Sequence, residues 1–179
     1  IDQTLLPFAF EVRTLRHVED AAAAIRDMVV RGAPLIGVTT AYGVALALRE
    51  HPGDDSLAAA IETLLATRPT AVNLRWAAER MRRTVGTLPP AERAARAYAE
   101  AAAIAEEDVA SCAAIGRHGL SLLRELAHGQ GGERINVLTH CNAGWLACVD
   151  WGTALAPVYA AHEAGLPVHV YVDETRPRS

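Results

Sequence analysis

Between His17 and Val30, the apolar residues Val18, Ala21, Ala22, Ile25, Met28 and Val29 recur at the spacing of one helix face. Glu19 and Asp20 fall in the first turn, where acidic groups complement the helix dipole. The spacing predicts a helix that stops at Arg31-Gly32, glycine serving as a left-handed cap. Pro34 then opens a second helix, APLIGVTTAYGVALAL, which is apolar nearly all round and is therefore expected to be buried on most sides. Gly37 and Gly43 within it would each cost about 1 kcal/mol relative to alanine in an exposed helix, so close packing is expected at both. HPGDDS reads as a turn, with Ser56 capping a helix that runs to about Ala66. Arg68-Pro69 marks the next boundary, because the residue before proline avoids the helical region. A helix from about Val72 to Arg83 follows, and Pro89-Pro90 opens a long one that contains Gly116 and Gly119.

After HGQGGE the pattern changes. Arg134 to His140 is a short apolar run ending in polar residues, as in a strand buried on both faces of a parallel sheet. Thr153 to Ala164 reads as a helix capped at Thr153 and closed by Gly165, and Val168 to Val172 as a second strand. Strand, helix and strand make one βαβ unit, right-handed by the general rule. The weak alternation from Ile1 to Val12, broken at Pro7, predicts a short hairpin. The chain is therefore expected to be α/β. A mostly helical N-terminal domain with a short β hairpin (residues 1–130) precedes the first βαβ unit of a Rossmann-like open parallel sheet (residues 131–179). The start lacks a Met, and a parallel sheet that ends after one crossover leaves open edges, so the sequence reads as truncated.

Composition supports this outline. There are 36 alanines among 179 residues and only 5% aromatics, which favours helices packed closely. A formal charge of −4 argues against an electrostatic nucleic-acid or anionic-membrane binder. No apolar run reaches the roughly 20 residues that span a bilayer, and the start lacks the pattern of a signal peptide. An odd count of three cysteines, Cys112, Cys141 and Cys148, fits a reducing, cytoplasmic setting with free thiols.

In open parallel sheets ligands bind beyond the carboxyl ends of the strands. Cys141, in THCNAGW, directly follows the first strand. Backbone N–H groups of Asn142, Ala143 and Gly144 can stabilise a thiolate or an anionic substrate there; the alternative is a thiol packed as a small hydrophobe. Cys112 and Cys148 read as structural, and the histidines form no ligand pair, so no metal site is expected. Arg31-Gly32-Ala33-Pro34 joins two helices. It either offers a guanidinium and a helix start to a phosphate or is an ordinary capped turn. Arg68 is a second phosphate fork or a solvated loop arginine. No phosphate-binding glycine loop of the nucleotide type occurs. Asp173, Glu174 and Arg176 follow the second strand, and for the two carboxylates an ion-pair network is the favoured role.

Read together, IDQTLLP, VVRGAPLIGVTTAYGVALAL, RPTAVNLRWAAERM, VLTHCNAGWLA, GTALAPVYAAHEAG and VHVYVDETRPR resemble the methylthioribose-1-phosphate isomerases. That family shares a superfamily with ribose-1,5-bisphosphate isomerases and the regulatory subunits of the translation initiation exchange factor. The resemblance covers nearly the whole chain in the family's order. It implies conversion of 5-methylthio-ribose 1-phosphate to 5-methylthio-ribulose 1-phosphate in methionine salvage, by a homodimer that needs no cofactor. It implies that Cys141 is the catalytic thiol and that Arg31, Gly32, Ala33 and Arg68 contact the substrate. It places the family's catalytic aspartate and further substrate contacts beyond Ser179, so neither Asp150 nor Asp173 takes that role and the 179 residues alone are expected to be inactive. Trp145 and Asp150-Trp151 stand where many relatives carry small residues, which keeps open an isomerase of another pentose phosphate. A non-catalytic sugar-phosphate-sensing or assembly scaffold of the same superfamily is the other alternative.

Overall fold

The computed structural model describes residues 1–129, 131 and 134–173. Six α-helices and two strands are present among them: α1 (Val18–Arg26), α2 (Ala33–Glu50), α3 (Asp54–Leu65), α4 (Val72–Val85), α5 (Pro90–Gly129), β1 (Ile135–Thr139), α6 (Ala156–Glu163) and β2 (Val168–Val172). A 3₁₀ turn, Trp145–Ala147, lies between β1 and α6.

α2 is the centre of the helical part. Twelve of its eighteen residues are buried, as its all-round apolar sequence predicts, and α1, α3, α4 and α5 surround it. Its buried Thr39 and Thr40 stay satisfied because their hydroxyls donate back to the Leu35 and Ile36 carbonyls, both at 2.8 Å. A methyl group at Gly37 would meet the Asn73 carbonyl at 3.2 Å, and one at Gly43 would meet Ala21 and Leu64 at 3.1 Å. Both glycines thus mark the expected close approaches. Arg93 of α5 is almost fully buried and ties connections together, donating to the carbonyls of Leu88 (2.9 Å) and Pro52 (3.2 Å) and pairing with Asp54 at 2.7 Å.

β1 and β2 pair in parallel, from Ile135↔Val168 to Thr139↔Val172, with α6 as the crossover. The forty-residue α5 runs past the helical part and also packs on α6 and β1. Gly116 and Gly119 allow this: a methyl group at Gly119 would lie 2.5 Å from Pro157 Cβ.

Several boundaries differ from expectation. α1 ends at Arg26, and the left-handed residue after it is Met28 (φ 57°), because the Val30 N–H turns back to the Ala24 carbonyl at 3.1 Å. Gly32 (φ 101°) is instead the N-cap of α2. Ser56 sits inside the first turn of α3, whose N-cap is Gly53. α6 begins three residues later than Thr153: residues 153–155 form turns, with the Thr153 and Leu155 N–H groups on the Ala143 carbonyl (3.1 and 3.4 Å) and the Ala156 N–H on the Thr153 carbonyl (3.2 Å). No strand forms between Ile1 and Val12. One backbone hydrogen bond, Asp2 N–H to the Glu11 carbonyl at 2.8 Å, joins the two arms, and the reversal between them is a series of turns around Pro7, which lacks a ladder donor. β1 is not buried on both faces either, since Asn136 and Leu138 are exposed.

Candidate functional site

Thr139 ends β1, and the chain turns sharply at Cys141, which adopts φ 71°. That left-handed conformation costs a non-glycine residue roughly 1–2 kcal/mol and persists only where surrounding structure enforces it. The enforcement is visible. The Ala143 carbonyl accepts from Thr153 and Leu155, and Gly152 (φ 89°) lies so close to Gly144 that a methyl group on it would come within 2.5 Å of the Gly144 carbonyl carbon. The loop from 141 to 155 is thereby closed on itself, and the Cys141 side chain is left exposed. Among the described residues, the N–H groups of Asn142, Ala143 and Gly144 donate no hydrogen bond. They are free to meet an anion, as the sequence suggests for this turn.

The thiol turn forms one wall of a cleft of about 410 Å³. The N-terminal loop supplies Gln3, Leu6 and Pro7, the α1–α2 connection supplies Arg31, and Leu155 and Tyr159, which lie against Gly144 of the thiol turn, complete the lining. Arg31 immediately precedes the N-terminus of α2, an end whose dipole favours anions. Gly32 behind it packs against the 3₁₀ turn: a methyl group there would lie 2.5 Å from the Ala147 carbonyl oxygen. Burial pushes the Tyr159 hydroxyl above its ordinary range, so it remains a neutral hydrogen-bonding group in the wall.

The structure brings Arg31 and Cys141 into one cleft. Gly32 and Ala33 sit at the head of α2, Gly32 against the thiol-bearing loop and Ala33 exposed. Arg68 is exposed in the loop between α3 and α4 and is not among the residues lining the cleft. Asp173 pairs with His140, Oδ2 to Nδ1 at 3.3 Å, beside the thiol turn. Glu174 and Arg176 lie outside the described residues. Of the two tryptophans that follow the thiol turn, Trp145 lines the cleft, whereas Trp151 packs against Cys112, Ala147 and Cys148.

Sequence reasoning missed Gln3. It is 5% exposed; its Nε2 donates to the Leu146 carbonyl at 2.6 Å, its Oε1 accepts from Asn142 Nδ2 at 3.4 Å, and its N–H donates to the Val29 carbonyl at 3.0 Å. No local signal marks a glutamine as the bridge between segments so far apart. The convergence of Asp108, Cys112 and Cys148, whose ligand atoms lie within 4.8 Å of one another, was missed too. Only its first half was legible, as an i,i+4 pair on a helix.

The model of the initiation factor 2 subunit family matches residues 29–179, and the chain belongs to that family. It is 66% identical over its whole length to a methylthioribose-1-phosphate isomerase of Methylorubrum populi and 64% identical to one of Rhodospirillum centenum. The chain spans about half the length of these curated relatives, 49% and 48% respectively. The crystal structure of 5-methylthioribose 1-phosphate isomerase from Pyrococcus horikoshii superposes with a TM-score of 0.85 at 38% identity, over 98% of this chain and 49% of that one. The delta subunit of translation initiation factor eIF-2B from A. fulgidus superposes at 0.82 with 41% identity, over 99% of this chain and 52% of that one. No helix among the described residues is long and apolar enough to cross a membrane.

Proposed function

We propose that the full-length protein isomerises 5-methylthio-ribose 1-phosphate to 5-methylthio-ribulose 1-phosphate, and that the cleft between Arg31 and Cys141 is its half of the substrate site. The observation that carries this reading is the exposed Cys141 thiol, held in a left-handed turn and sharing a cleft with a guanidinium at a helix start. The two superposed structures carry different names at similar identity and do not separate an enzyme from a scaffold. The 60–66% identical relatives, all bearing the isomerase name, favour the enzyme.

The chemistry suits these groups. The phosphate blocks the anomeric carbon, so the bond from C1 to the ring oxygen must break first, that oxygen taking a proton. Hydrogen then moves from C2 to C1 while the C2 hydroxyl loses its proton and becomes the carbonyl. Net, one proton passes from O2 to the ring oxygen and one hydride equivalent from C2 to C1. Cys141 is assigned as the acid/base or transition-state-stabilising group beside C1 and C2. Arg31, with Gly32 and Ala33 at the α2 N-terminus, is assigned to the phosphate and hydroxyls. Arg68 is assigned a substrate contact completed by parts of the site outside this cleft. Residues 1–130 and 131–179 are taken as the helical domain and the start of the sheet domain, and the protein as a cytoplasmic homodimer.

Following the substrate by phosphorus and carbon NMR with full-length protein tests the reading. Ketose 1-phosphate is expected to accumulate, and Cys141→Ala is expected to lose at least about 100-fold in kcat. Unchanged turnover in that variant removes the thiol from the mechanism, and tight sugar-phosphate binding without turnover by the unaltered protein favours the scaffold. Size-exclusion chromatography with light scattering checks the dimer.

A further inference from the structure

Behind the cleft, Asp108, Cys112 and Cys148 form a cluster that the proposed reaction does not use. Asp108 and Cys112 sit one turn apart on α5 and so share a face. Cys148 arrives from the sheet side, directly after the 3₁₀ turn that bears Trp145 and Leu146. Both sulfurs are buried, at 1% and 3% exposure. Cys112 Sγ approaches Asp108 Oδ1 at 3.9 Å, while Asp108 Oδ2 accepts the Val149 N–H at 2.9 Å. That second hydrogen bond orients the carboxylate and leaves its other oxygen toward the sulfurs, as outer hydrogen bonds do for metal-ligating carboxylates.

We propose that Asp108, Cys112 and Cys148 bind a divalent cation of the zinc class, with water as the fourth ligand. The donor set fits that ion: two thiols and a carboxylate suit tetrahedral zinc, whose sulfur and oxygen bonds of about 2.0–2.3 Å place neighbouring donors roughly 3.4–3.8 Å apart. The three ligand atoms already lie within 4.8 Å of one another, so the site closes by an inward movement of about 1 Å shared among three side chains. Asp108 lines a cavity of about 250 Å³ and Cys148 one of about 320 Å³.

Electrostatics set a cost that the metal must overcome. Burial first, and then the Asp108 carboxylate, raise both thiols above their ordinary range, Cys148 to about 12. A dication reverses that balance: on binding, each thiol gives its proton to solvent and its sulfur lone pair to the metal, and the cluster's negative charge becomes attractive. Such an ion would staple α5 to the loop that carries Cys141. This site is independent of the isomerase reading.

Metal-free, reduced full-length protein titrated with Co²⁺ and then Zn²⁺ tests the proposal. Co²⁺ is expected to bind one per chain, giving thiolate-to-cobalt charge-transfer absorption and the visible bands of tetrahedral cobalt, which Zn²⁺ then bleaches. Cys112→Ala and Cys148→Ala should each abolish the tetrahedral two-thiolate spectrum. Asp108→Asn should weaken uptake by about 10-fold or more, and Cys141→Ala should leave cobalt uptake and its spectrum unaltered. Circular dichroism establishes that each variant is folded; Cys148→Ala, just after the short 3₁₀ turn, carries the test if Cys112→Ala is not. Absence of the charge-transfer band from the reduced protein, or its survival in a folded cysteine variant, overturns the proposal whatever the enzyme's activity.

Discussion

The side-chain amide of Gln3 donates a 2.6 Å hydrogen bond to the carbonyl of Leu146, 143 positions further along the chain. Through Asn142 and Val29 the same residue also holds the thiol turn and the segment leading to Arg31. One buried amide therefore sets the spacing across the cleft. Gln3→Leu keeps the volume but leaves the Leu146 carbonyl and the Asn142 amide unpaired in a half-buried place. Urea unfolding of the full-length protein is expected to show a loss of about 1–3 kcal/mol. Stability equal to that of the unaltered protein would mean that water replaces the amide at no cost.

Gly32 is required twice over, by its φ of 101° and by the contact with Ala147. Gly32→Ala therefore has to shift either the head of α2 or the 3₁₀ turn, which carries Trp145 and Leu146 of the cleft. A drop in stability of at least about 2 kcal/mol is expected, together with a rise in KM. Denaturant melts and steady-state kinetics measure the two effects, and a variant unchanged in both contradicts this packing.

Cys141 pays for its exposed thiol with a strained backbone. Glycine at that position removes the steric penalty of roughly 1–2 kcal/mol but adds about 0.5–1 kcal/mol of unfolded-chain entropy. Cys141→Gly is accordingly expected to fold with stability equal to, or up to about 1 kcal/mol above, that of the unaltered protein, while turnover collapses. A clear loss of stability would show that the left-handed turn is not strained.

Asp2 is fully buried, and its carboxyl lies below the usual range. The Thr4 hydroxyl, at 2.6 Å, is the main cause, opposed by desolvation and helped by the Thr4 N–H (3.0 Å) and the Arg13 guanidinium (2.6 Å). A depressed folded-state value stabilises the protein in full above the unfolded value of about 3.9, and that stability is lost as pH falls through the folded value. Unfolding free energies measured from pH 7 down to pH 2.5 should fall with acid. Asp2→Asn should be less stable at pH 7 and lose less on acidification; part of the slope remains, because Asp20 and Glu107 are also shifted down. An identical slope in the variant would remove Asp2 from the acid response.

Much of the architecture could be read locally. The uninterrupted apolar text of α2 announces a helix buried on most sides, and Val168–Val172 appears with the bounds the sequence predicts. For the Cys141 thiol the sequence left two places open, the mouth of the sheet and a packed hydrophobic site, and the structure leaves it exposed. Local reasoning failed where two possibilities had equal local support. Gly32 can end α1 or begin α2, and only the backbone hydrogen bond from Val30 to Ala24 decides. Thr153 can cap α6, but the turns at 153–155 move the helix start on, and Leu155 takes the cap position.

Residue spacing, with proline and glycine at the boundaries, determined the helices, the two strands after them and the position of a thiol at a strand end, because hydrophobic faces are written in that spacing; the weak alternation before Val12 formed no strand. Packing decided which groups meet. Arg31 shares a cleft with Cys141 while Arg68 does not line it, Gln3 bridges 143 residues, and Asp108 and Cys112 are joined by Cys148 from across the domain. Those meetings depend on how far α5 extends and how closely its glycines and Gly32 let neighbouring backbones approach. Such distances are set by the whole packed chain, and no short stretch of residues encodes them.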